Sequence, residues 1–453
     1  MSSKTGGSAE DGNDGRGASG VRFMLRALGH RNYRLFFSGQ SISLVGTWMT
    51  RIATSWLVYR LTGSALLLGV VGFAGQIPSF ILAPFAGVLV DRWNRHRLLV
   101  ATQVLALLQS LALAVLALSG TINIRHVIWL SIFQGLINAF DMPARQAFLV
   151  EMVERREDLP NAIALNSSMV NAARLIGPSV GGVIIAAVGE GWCFMIDAVS
   201  YLAVIASLVA MSVTPRMTKQ IKEANMLRQL REGFSYAAHF APIRNVLILL
   251  ALVSLVGMPY TVLMPVFANE VLHGGPHTLG FLMAASGVGA LAGAMFLAAR
   301  KSVLGLGRYI PLTAAAFGVG LIAFSFSRVL WASLALMVVT GLGFMVQMAA
   351  SNTVLQTIVD EDKRGRVMSF YTMAFMGTAP FGSLLAGSVA ERIGSPHTLL
   401  FGGVGCIVGA IWFAFSLPAL RRDVRPIYAR IGILPEVAAG IQTTSELSVP
   451  PES

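Results

Sequence analysis

The sequence predicts an all-α polytopic membrane protein with twelve transmembrane helices in two pseudo-symmetric six-helix bundles. Three observations lead to this fold class. Of the 453 residues, 55% are hydrophobic and only 12% are charged, whereas about a quarter of the residues in soluble domains carry charge. Apolar segments long enough to cross a bilayer, at roughly 20 residues each, recur along the chain. Lysine and arginine are concentrated in alternate connections between these segments.

The apolar segments form two groups of six on either side of a polar interval. Continuous apolar runs of this length argue against a transmembrane β-barrel, because barrel strands are alternating segments of about 10 residues. The first group covers residues 35–60, 65–90, 97–119, 126–150, 162–188 and 191–213. The second group covers residues 243–271, 277–299, 309–327, 330–357, 366–390 and 397–420.

These segments also predict the domain organisation. The start of the chain is rich in Gly, Ser and Asp, a composition typical of disorder. The central polar interval is expected to be a partly helical linker that lies on the membrane surface. The predicted divisions are a disordered tail at 1–30, an N-terminal bundle at 31–213, a linker at 214–242, a C-terminal bundle at 243–420 and a tail at 421–453.

The distribution of basic residues predicts the orientation. The positive-inside rule places the basic connections, the linker and both termini in the cytoplasm, so we expect a multi-pass protein of the inner (plasma) membrane. The net charge of +12 then reflects topology, and nucleic acid is not an expected partner. The basic residues are Arg31 and Arg34; Arg92, Arg95 and Arg97; Arg155 and Arg156; Arg216, Lys219, Lys222, Arg228 and Arg231; Arg300, Lys301 and Arg308; Lys363, Arg364 and Arg366; and Arg421, Arg422 and Arg425.

Five ionisable side chains lie in the interior of the predicted spans of the first half, away from the span ends, where charge is costly and usually functional. They are Arg51, Asp141, Arg145, Arg174 and Asp197. The spans of the second half carry almost no charge away from their ends. Because arginines outnumber acids in this set, the surplus favours an anionic or hydrogen-bond-accepting substrate.

Polar residues spaced three or four apart form stripes on two spans of the first half, a pattern expected of helices that share one water-filled cavity. The stripe of span one contains Gln40, Ser43, Thr47, Arg51 and Thr54, and that of span four contains Gln134, Asn138, Asp141 and Arg145. The lining residues expected in the second half are Tyr260 in span seven and Gln347, Met348 and Asn352 in span ten.

Asp141 and Arg145 are four residues apart, so they can pair along one helix face. One interpretation is a structural ion pair that locks the first bundle. The other makes Asp141 a proton-exchanging carboxylate tuned by Arg145 and Arg174, with Asp197 as the second candidate for that role. We favour Asp141 as the proton carrier on sequence grounds.

Several enzymatic and cofactor sites find no support in the sequence. No Gly-Lys dipeptide occurs, which excludes a phosphate-binding P-loop. The glycines of segment 287–293 fit close helix packing better than dinucleotide binding. His273 and His277 are separated by Gly-Gly-Pro, so an exterior loop is a better interpretation than a zinc site. No nucleophile–base constellation is present, and we expect neither enzymatic activity nor a cofactor or metal.

Three motifs carry a resemblance to a known family. They are the turn Gly87-Val-Leu-Val-Asp91-Arg92-Trp-Asn94-Arg95-His-Arg97; Pro143-Ala144-Arg145-Gln146-Ala147; and Arg174-Leu-Ile-Gly177-Pro178 with Gly181-Gly182. Over nearly all of residues 30–420 the chain resembles the major facilitator superfamily, in particular the bacterial exporter group of the enterobactin exporter and the macrolide efflux proteins. The Gly87–Arg97 turn, which is similar to the superfamily's loop signature, is the most specific of the three.

The resemblance implies roles that spacing alone does not show. Asp91 would hold the two halves together on the cytoplasmic side by contacting the start of helix eleven, near Gly365 and Arg366. The element at Gly177-Pro178 and Gly181-Gly182 resembles the antiporter signature, which bends helix five and limits leak. Helices one, four, seven and ten would line the cavity.

The expected function is secondary active export, with proton antiport of an amphipathic small molecule such as a siderophore, macrolide or other drug by alternating access. The partners are then the lipid bilayer, the substrate and protons; the sequence leaves the number of subunits open, with a monomer as one possibility. An alternative is a transporter of lysophospholipid or another lipid. A second alternative, from a different class, is a membrane sensor or scaffold that transports nothing.

Overall fold

A computed structural model describes residues 25–212, 235–300 and 302–430. Twelve long helices account for most of these residues, and the described part of the chain contains no β-strand. The first six are α1 (Arg31–Thr62), α2 (Ala65–Arg92), α3 (Arg95–Leu118), α4 (Ile124–Met152), α5 (Leu159–Val188) and α6 (Glu190–Val209). The second six are α7 (Ala241–Val271), α8 (Pro276–Ala298), α9 (Leu306–Phe326), α10 (Leu330–Ile358), α11 (361–393) and α12 (Ser395–Arg430).

Each predicted apolar segment coincides with one helix, which confirms the twelve-helix prediction. Eleven of the helices are long and apolar enough to cross a membrane. The other is α1, which has 32 residues and is therefore long enough to span the bilayer at 1.5 Å per residue. Its polar stripe makes it less apolar than the other helices, and this is the same feature that marks it as a cavity-lining helix.

The helix ends follow local capping rules. The side chains of Ser64, Asn94 and Asn123 accept hydrogen bonds from the first turns of α2, α3 and α4, which satisfies amide groups that a helix start leaves unpaired. Gly63 ends α1 with φ +60°, a left-handed conformation that glycine adopts without strain. These short, well-capped connections hold sequential helices antiparallel.

Two boundaries differ from the sequence prediction. Residues Arg26–Gly29 form a short 3-10 turn, and the Ala27 amide donates to the Asn161 side chain over 3.0 Å. The last residues of the predicted 1–30 tail therefore pack against α5. At the other end α12 continues to Arg430, whose guanidinium pairs with Asp360 at 2.9 Å. The remainder of both tails, at 1–24 and 431–453, and linker residues 213–234 lie outside the described residues.

The helices pack as two bundles with matching arrangements. In the first bundle α1 packs on α5 and α6, α4 packs on α2 and α3, and α3 also packs on α6. In the second bundle α10 packs on α8 and α9, and α9 packs on α12. The bundles meet along two helix pairs, α5 with α8 and α2 with α11. These pairs are related by the pseudo-symmetry of the two halves.

Glycines face glycines where α5 crosses α8 and where α2 crosses α11, and we call these two contacts the glycine crossings. A Cβ atom added to Gly182 of α5 would lie 3.0 Å from the Gly280 Cα of α8, and one added to Gly387 of α11 would lie 2.9 Å from the Gly69 Cα of α2. Each added atom would also come within 2.7 Å of a backbone carbonyl oxygen. Small residues let helix backbones approach this closely, and that contact is a main source of helix association in lipid.

The glycine crossings lie toward one end of the molecule. We call the end at which α1 begins and α12 ends the basic face, after its arginine-rich connections, and the other end the opposite face. Near the opposite face, Glu391 of α11 accepts hydrogen bonds from the Ser64 hydroxyl and the Leu66 amide, each at 3.0 Å. Tyr59 of α1 donates to Glu270 of α7 at 3.0 Å. These polar contacts join the halves beside the glycine crossings.

The second bundle contains π-helical turns that interrupt two of its helices. Val253–Gly257 and Phe267–Val271 lie in α7, and Met373–Gly377 lies in α11. Such turns insert an extra residue into a helix and are frequent at functional sites. The corresponding helices of the first bundle, α1 and α5, are continuous α-helices.

We predict that Gly69→Ala weakens the contact between the halves near the opposite face. The added methyl group would lie 2.5 Å from the Ser383 carbonyl oxygen, and overpacking of this kind costs about 1–3 kcal/mol. Double electron–electron resonance between spin labels at positions 121 and 329, which are exposed near the opposite face of each half, should show a longer-distance population in the variant.

The matched control is Gly75→Ala in the same helix, where the new methyl group would meet only Ser131, at an ordinary 3.8 Å. This control should keep the distance distribution of the unsubstituted protein. An unchanged distribution in Gly69→Ala would show that the glycine crossing does not hold this face closed.

Candidate functional site

The polar stripe of α1 runs along the middle of the first bundle. Its members Thr47 and Arg51 are exposed, although they lie near the centre of the span, whereas Gln40 and Ser43 are buried among neighbouring helices. The Thr47 hydroxyl lies 3.5 Å from the Tyr201 hydroxyl of α6. A charged side chain that is exposed at this depth must face water or a ligand, because lipid would not solvate it.

Both carboxylate oxygens of Asp141 in α4 have partners. Its Oδ2 atom pairs with the guanidinium of Arg145, and its Oδ1 atom accepts hydrogen bonds from Thr102 at 2.9 Å and Gln103 at 2.7 Å. The Asp141 side chain is only 6% exposed. The predicted pairing of Asp141 with Arg145 is therefore present, and two donors from α3 hold the carboxylate in place. This geometry favours the structural interpretation of the pair.

The rest of the α4 stripe continues away from this pair. The Gln134 side chain donates to the Asn138 carbonyl oxygen at 3.2 Å, and both residues are half-buried. Near the start of α5, a cleft of about 360 Å³ is lined by Phe36, Arg145, Gln146, Asn166 and Ser167, among others. Arg145 is thus reachable from the basic half of the molecule, while Asp141 behind it is shielded.

Asp197 of α6 has different surroundings. It is 1% exposed, its Oδ2 atom accepts from Ser110 at 2.9 Å, and its Oδ1 atom has no well-formed hydrogen bond. The Oδ1 atom faces Gly46 of α1, where an added Cβ would lie only 2.7 Å away. No Lys, Arg or His in the described parts of the chain forms an ion pair with Asp197.

Trp48 brings two arginines together. The guanidinium carbons of Arg51 and Arg174 lie 4.8 and 5.7 Å from the centre of its indole ring, within the range of cation–π attraction. Arg174 and Trp48 are half-buried. Sequence reasoning selected both arginines but missed Trp48. An available signal was its position three residues before Arg51, on the neighbouring part of the same helix.

The α5 segment that contains Gly177, Pro178, Gly181 and Gly182 packs against this cluster. A Cβ added to Gly177 would lie 2.5 Å from the Trp48 Cβ, and one added to Gly181 would lie 3.2 Å from the Met49 Cα. Gly182 and the Pro178 carbonyl oxygen instead face Gly280 of α8. One side of this short segment therefore packs on α1 and the other side packs on the second bundle.

The four predicted lining residues of the second bundle differ in their exposure. Tyr260 is 2% exposed, and its hydroxyl lies 2.7 Å from that of Ser286, so it belongs to the bundle core. Gln347 is fully buried, and neither atom of its amide group has a hydrogen-bond partner. Met348 and Asn352 are half-buried.

The predicted cytoplasmic gate residues lie at the basic face. Arg92, Arg97 and Gly365 are exposed and Arg366 is half-buried, while Arg95 pairs with Glu151 of α4 at 2.6 Å. A Cβ added to Gly87 or Gly365 would meet nothing within 4 Å. The side chain of Asp91 lies outside the described residues, so its predicted latch contact stays a prediction. Glu270 and Glu391, which join the halves at the opposite face, were not selected from the sequence.

Comparison with known proteins places these features in a family of transporters. Among curated proteins, the chain is 28% identical to the staphyloferrin A transporter of Staphylococcus aureus over 385 residues, covering 84% of this chain and 95% of the relative. It is 28% identical to the multidrug efflux pump Tap of Mycolicibacterium fortuitum, covering 84% and 92%. It is 23% identical to the macrolide efflux protein A of Streptococcus pyogenes, covering 84% and 96%.

Solved structures show the same fold. A bacterial homologue of the human lysosomal transporter Spinster, in an inward-facing and unoccupied conformation, aligns with a TM-score of 0.67 at 13% identity, covering 87% of this chain and 98% of that one. The nucleoside transporter NupG aligns with a TM-score of 0.64 at 14% identity, covering 85% and 97%.

The family assignment rests on a match over most of the chain. The relatives are membrane transporters and not enzymes, in agreement with the expectation from the sequence. A family model described as a transmembrane secretion effector matches residues 24–442. The chain therefore belongs to the transmembrane secretion effector family of the major facilitator superfamily.

Proposed function

We propose that this chain exports an amphipathic small molecule across the plasma membrane in exchange for protons. The observation that carries the proposal is the charge that lies within the membrane spans of the first bundle. Asp141, Arg145, Arg174, Arg51 and Asp197 lie within α1, α4, α5 and α6. The described spans of the second bundle carry charge only toward their ends. Intramembrane charge at such a cost is typical of substrate and proton pathways.

The relatives support the choice of substrate range. Their names describe one siderophore transporter, one multidrug efflux pump and one macrolide efflux protein. Siderophores and macrolides are both bulky molecules with polar and apolar parts. Each relative spans nearly the same length as this chain, so the comparison applies to a whole transporter and not to one domain.

The way in which the halves meet supports alternating access. The glycine crossings and the Glu391 and Glu270 contacts lie toward the opposite face, while α4 and α10 each pack within their own bundle. Taking the basic face as cytoplasmic, this arrangement corresponds to an inward-facing state. Rocking of one bundle against the other would then open the opposite face, with Asp91 and the start of α11 closing the basic face.

The two acids have separate roles in this proposal. Asp141 neutralises Arg145 and holds α3 to α4, because both of its oxygens are engaged. Asp197 is buried without a cation, and buried carboxyl groups without a cation are costly to ionise. It is therefore the better candidate for the group that takes up and releases the coupling proton. Asp141, which the sequence favours, is the alternative, and substitution of each acid in turn distinguishes the two.

We expect cells that produce this protein to accumulate less radiolabelled erythromycin or staphyloferrin A than cells without it. Accumulation should rise to the level of the control cells when a protonophore dissipates the proton gradient, because the gradient supplies the energy. A strain that produces the Asp197→Asn variant at equal membrane abundance is the control for indirect effects of expression. Equal accumulation of both compounds with and without the protein would contradict export of these two classes.

We predict that Asp197→Asn abolishes uphill transport but keeps downhill exchange. Asparagine fits the same space and its carbonyl oxygen can still accept a hydrogen bond from Ser110. Its amide group, however, cannot take up and release a proton as a carboxyl group does. The measurement uses everted membrane vesicles and whichever of the two compounds is exported. Uptake driven by a proton gradient should fall by about tenfold or more, whereas counterflow without a gradient should persist.

Asp141→Asn is the matched comparison. It leaves the Arg145 guanidinium without its partner, and breaking a buried ion pair in this way costs about 3–5 kcal/mol. We expect a lower melting temperature in detergent, together with reduced abundance. If Asp197→Asn pumps uphill normally while a stable Asp141→Asn does not, the proton site is Asp141 and the roles of the two acids are reversed.

A further inference from the structure

The cluster of Arg51, Arg174 and Trp48 carries two positive charges that nothing in the described chain neutralises. Both guanidinium groups lie over one indole ring, and neither forms an ion pair with a described carboxylate. The cation–π attraction of an indole offsets only part of the cost of placing a cation at membrane depth. Two like charges on one ring also repel each other.

The nearby acids are not available to fill this role. Asp141 is held by Arg145 and by two donors from α3. Asp197 accepts from Ser110 and faces the backbone of α1 at Gly46. On the side of the second bundle, the segment of α8 next to Arg174 is lined by Gly287, whose added Cβ would lie 3.6 Å from the Arg174 carbonyl oxygen.

Access to the cluster is present on the side of α1. Arg51 is exposed, and Thr47, one turn before it on the same stripe, is exposed as well. Trp48 is half-buried, because Gly177 lets α5 approach its Cβ closely and fixes the position of the ring. The cluster therefore combines a rigid aromatic surface with one reachable guanidinium and a second, half-buried one.

We propose that this cluster is the substrate-binding site for an organic anion that carries two or more carboxylate groups on a flat, partly apolar framework. Guanidinium groups bind carboxylates in a planar, two-point geometry, so Arg51 and Arg174 each take one carboxylate. The framework between the carboxylates bridges the two guanidinium groups beside Trp48, whose ring holds them in place. The bound anion supplies the negative charge that the protein lacks at this position. This inference deepens the proposed export function, on which its role in transport rests.

The test measures binding by purified protein in detergent, so it does not depend on export. Phenylglyoxal modifies arginines, and mass spectrometry of the peptides reports each position separately. Benzene-1,3,5-tricarboxylate should protect Arg51 and Arg174 from modification, whereas its trimethyl ester, which has the same framework without charge, should not. Lysophosphatidylglycerol is tested in parallel, because a lipid phosphate presents similar oxygen atoms. Stronger protection by the tricarboxylate than by the lipid is expected for a soluble substrate.

Variants then locate the site. Arg51→Gln and Arg174→Gln should each weaken binding of the tricarboxylate by about tenfold or more, as loss of a charged hydrogen-bonded pair does. Arg125→Gln removes an exposed arginine at the start of α4 and should leave binding unchanged. Arg51→Lys keeps the positive charge but removes the planar guanidinium group. This variant should bind the tricarboxylate with an affinity between those of the unsubstituted protein and Arg51→Gln, and that result would show that the site is still folded.

Equal protection by the ester, no protection by either anion, or unchanged affinity in both glutamine variants would overturn the inference. None of these outcomes concerns the export assay, so a protein that exports erythromycin yet shows no anion protection would retain the proposed function and lose this site. Conversely, anion binding without any measured export would support the site and count against the choice of exported compounds.

Discussion

Close backbone contact at glycine determines how the two bundles are held. Helices in lipid lack the hydrophobic driving force that operates in water, so they associate through van der Waals packing at small residues. Gly182 against Gly280 and Gly69 against Gly387 provide that packing at two symmetry-related crossings. The α5 segment that makes the first crossing also seats Trp48 through Gly177. The relative position of the bundles and the geometry of the arginine cluster therefore depend on the same few residues of α5.

The charged side chains within the spans of the first bundle have three different kinds of surroundings. Asp141 is compensated by a cation and two hydrogen-bond donors, which makes it a fixed part of the bundle. Asp197 has hydrogen-bonding but no cation, which suits a group that changes its protonation state. Arg51 and Arg174 share an aromatic ring, which leaves their charge free to attract a ligand. In the proposals above, these three arrangements correspond to structural, proton-carrying and substrate-binding roles within one half of the molecule.

The sequence was sufficient to predict the helices. Apolar length defines a span almost independently of context, which is why all twelve spans were predicted, and a polar residue in an apolar span stands out. The sequence does not show features that depend on helix rotation or on partners distant in the chain. Tyr260 and Gln347 are both buried, and the sequence alone does not show towards which neighbouring helix each side chain is turned. The pairing of Gly69 with Gly387 joins residues more than three hundred positions apart, and no local pattern indicates it.

The π-helical turns have a consequence for how the two halves deform. Each carries one residue more than an α-helical turn, and one residue corresponds to a rotation of about 100° around the helix axis. If such a turn relaxes to α-helix, the rest of α7 or α11 turns by that amount and presents a different set of side chains to the centre. The continuous helices α1 and α5 have no such freedom. The pseudo-symmetric halves therefore differ in this respect: α7 and α11 contain turns whose register can change, whereas their counterparts α1 and α5 are continuous.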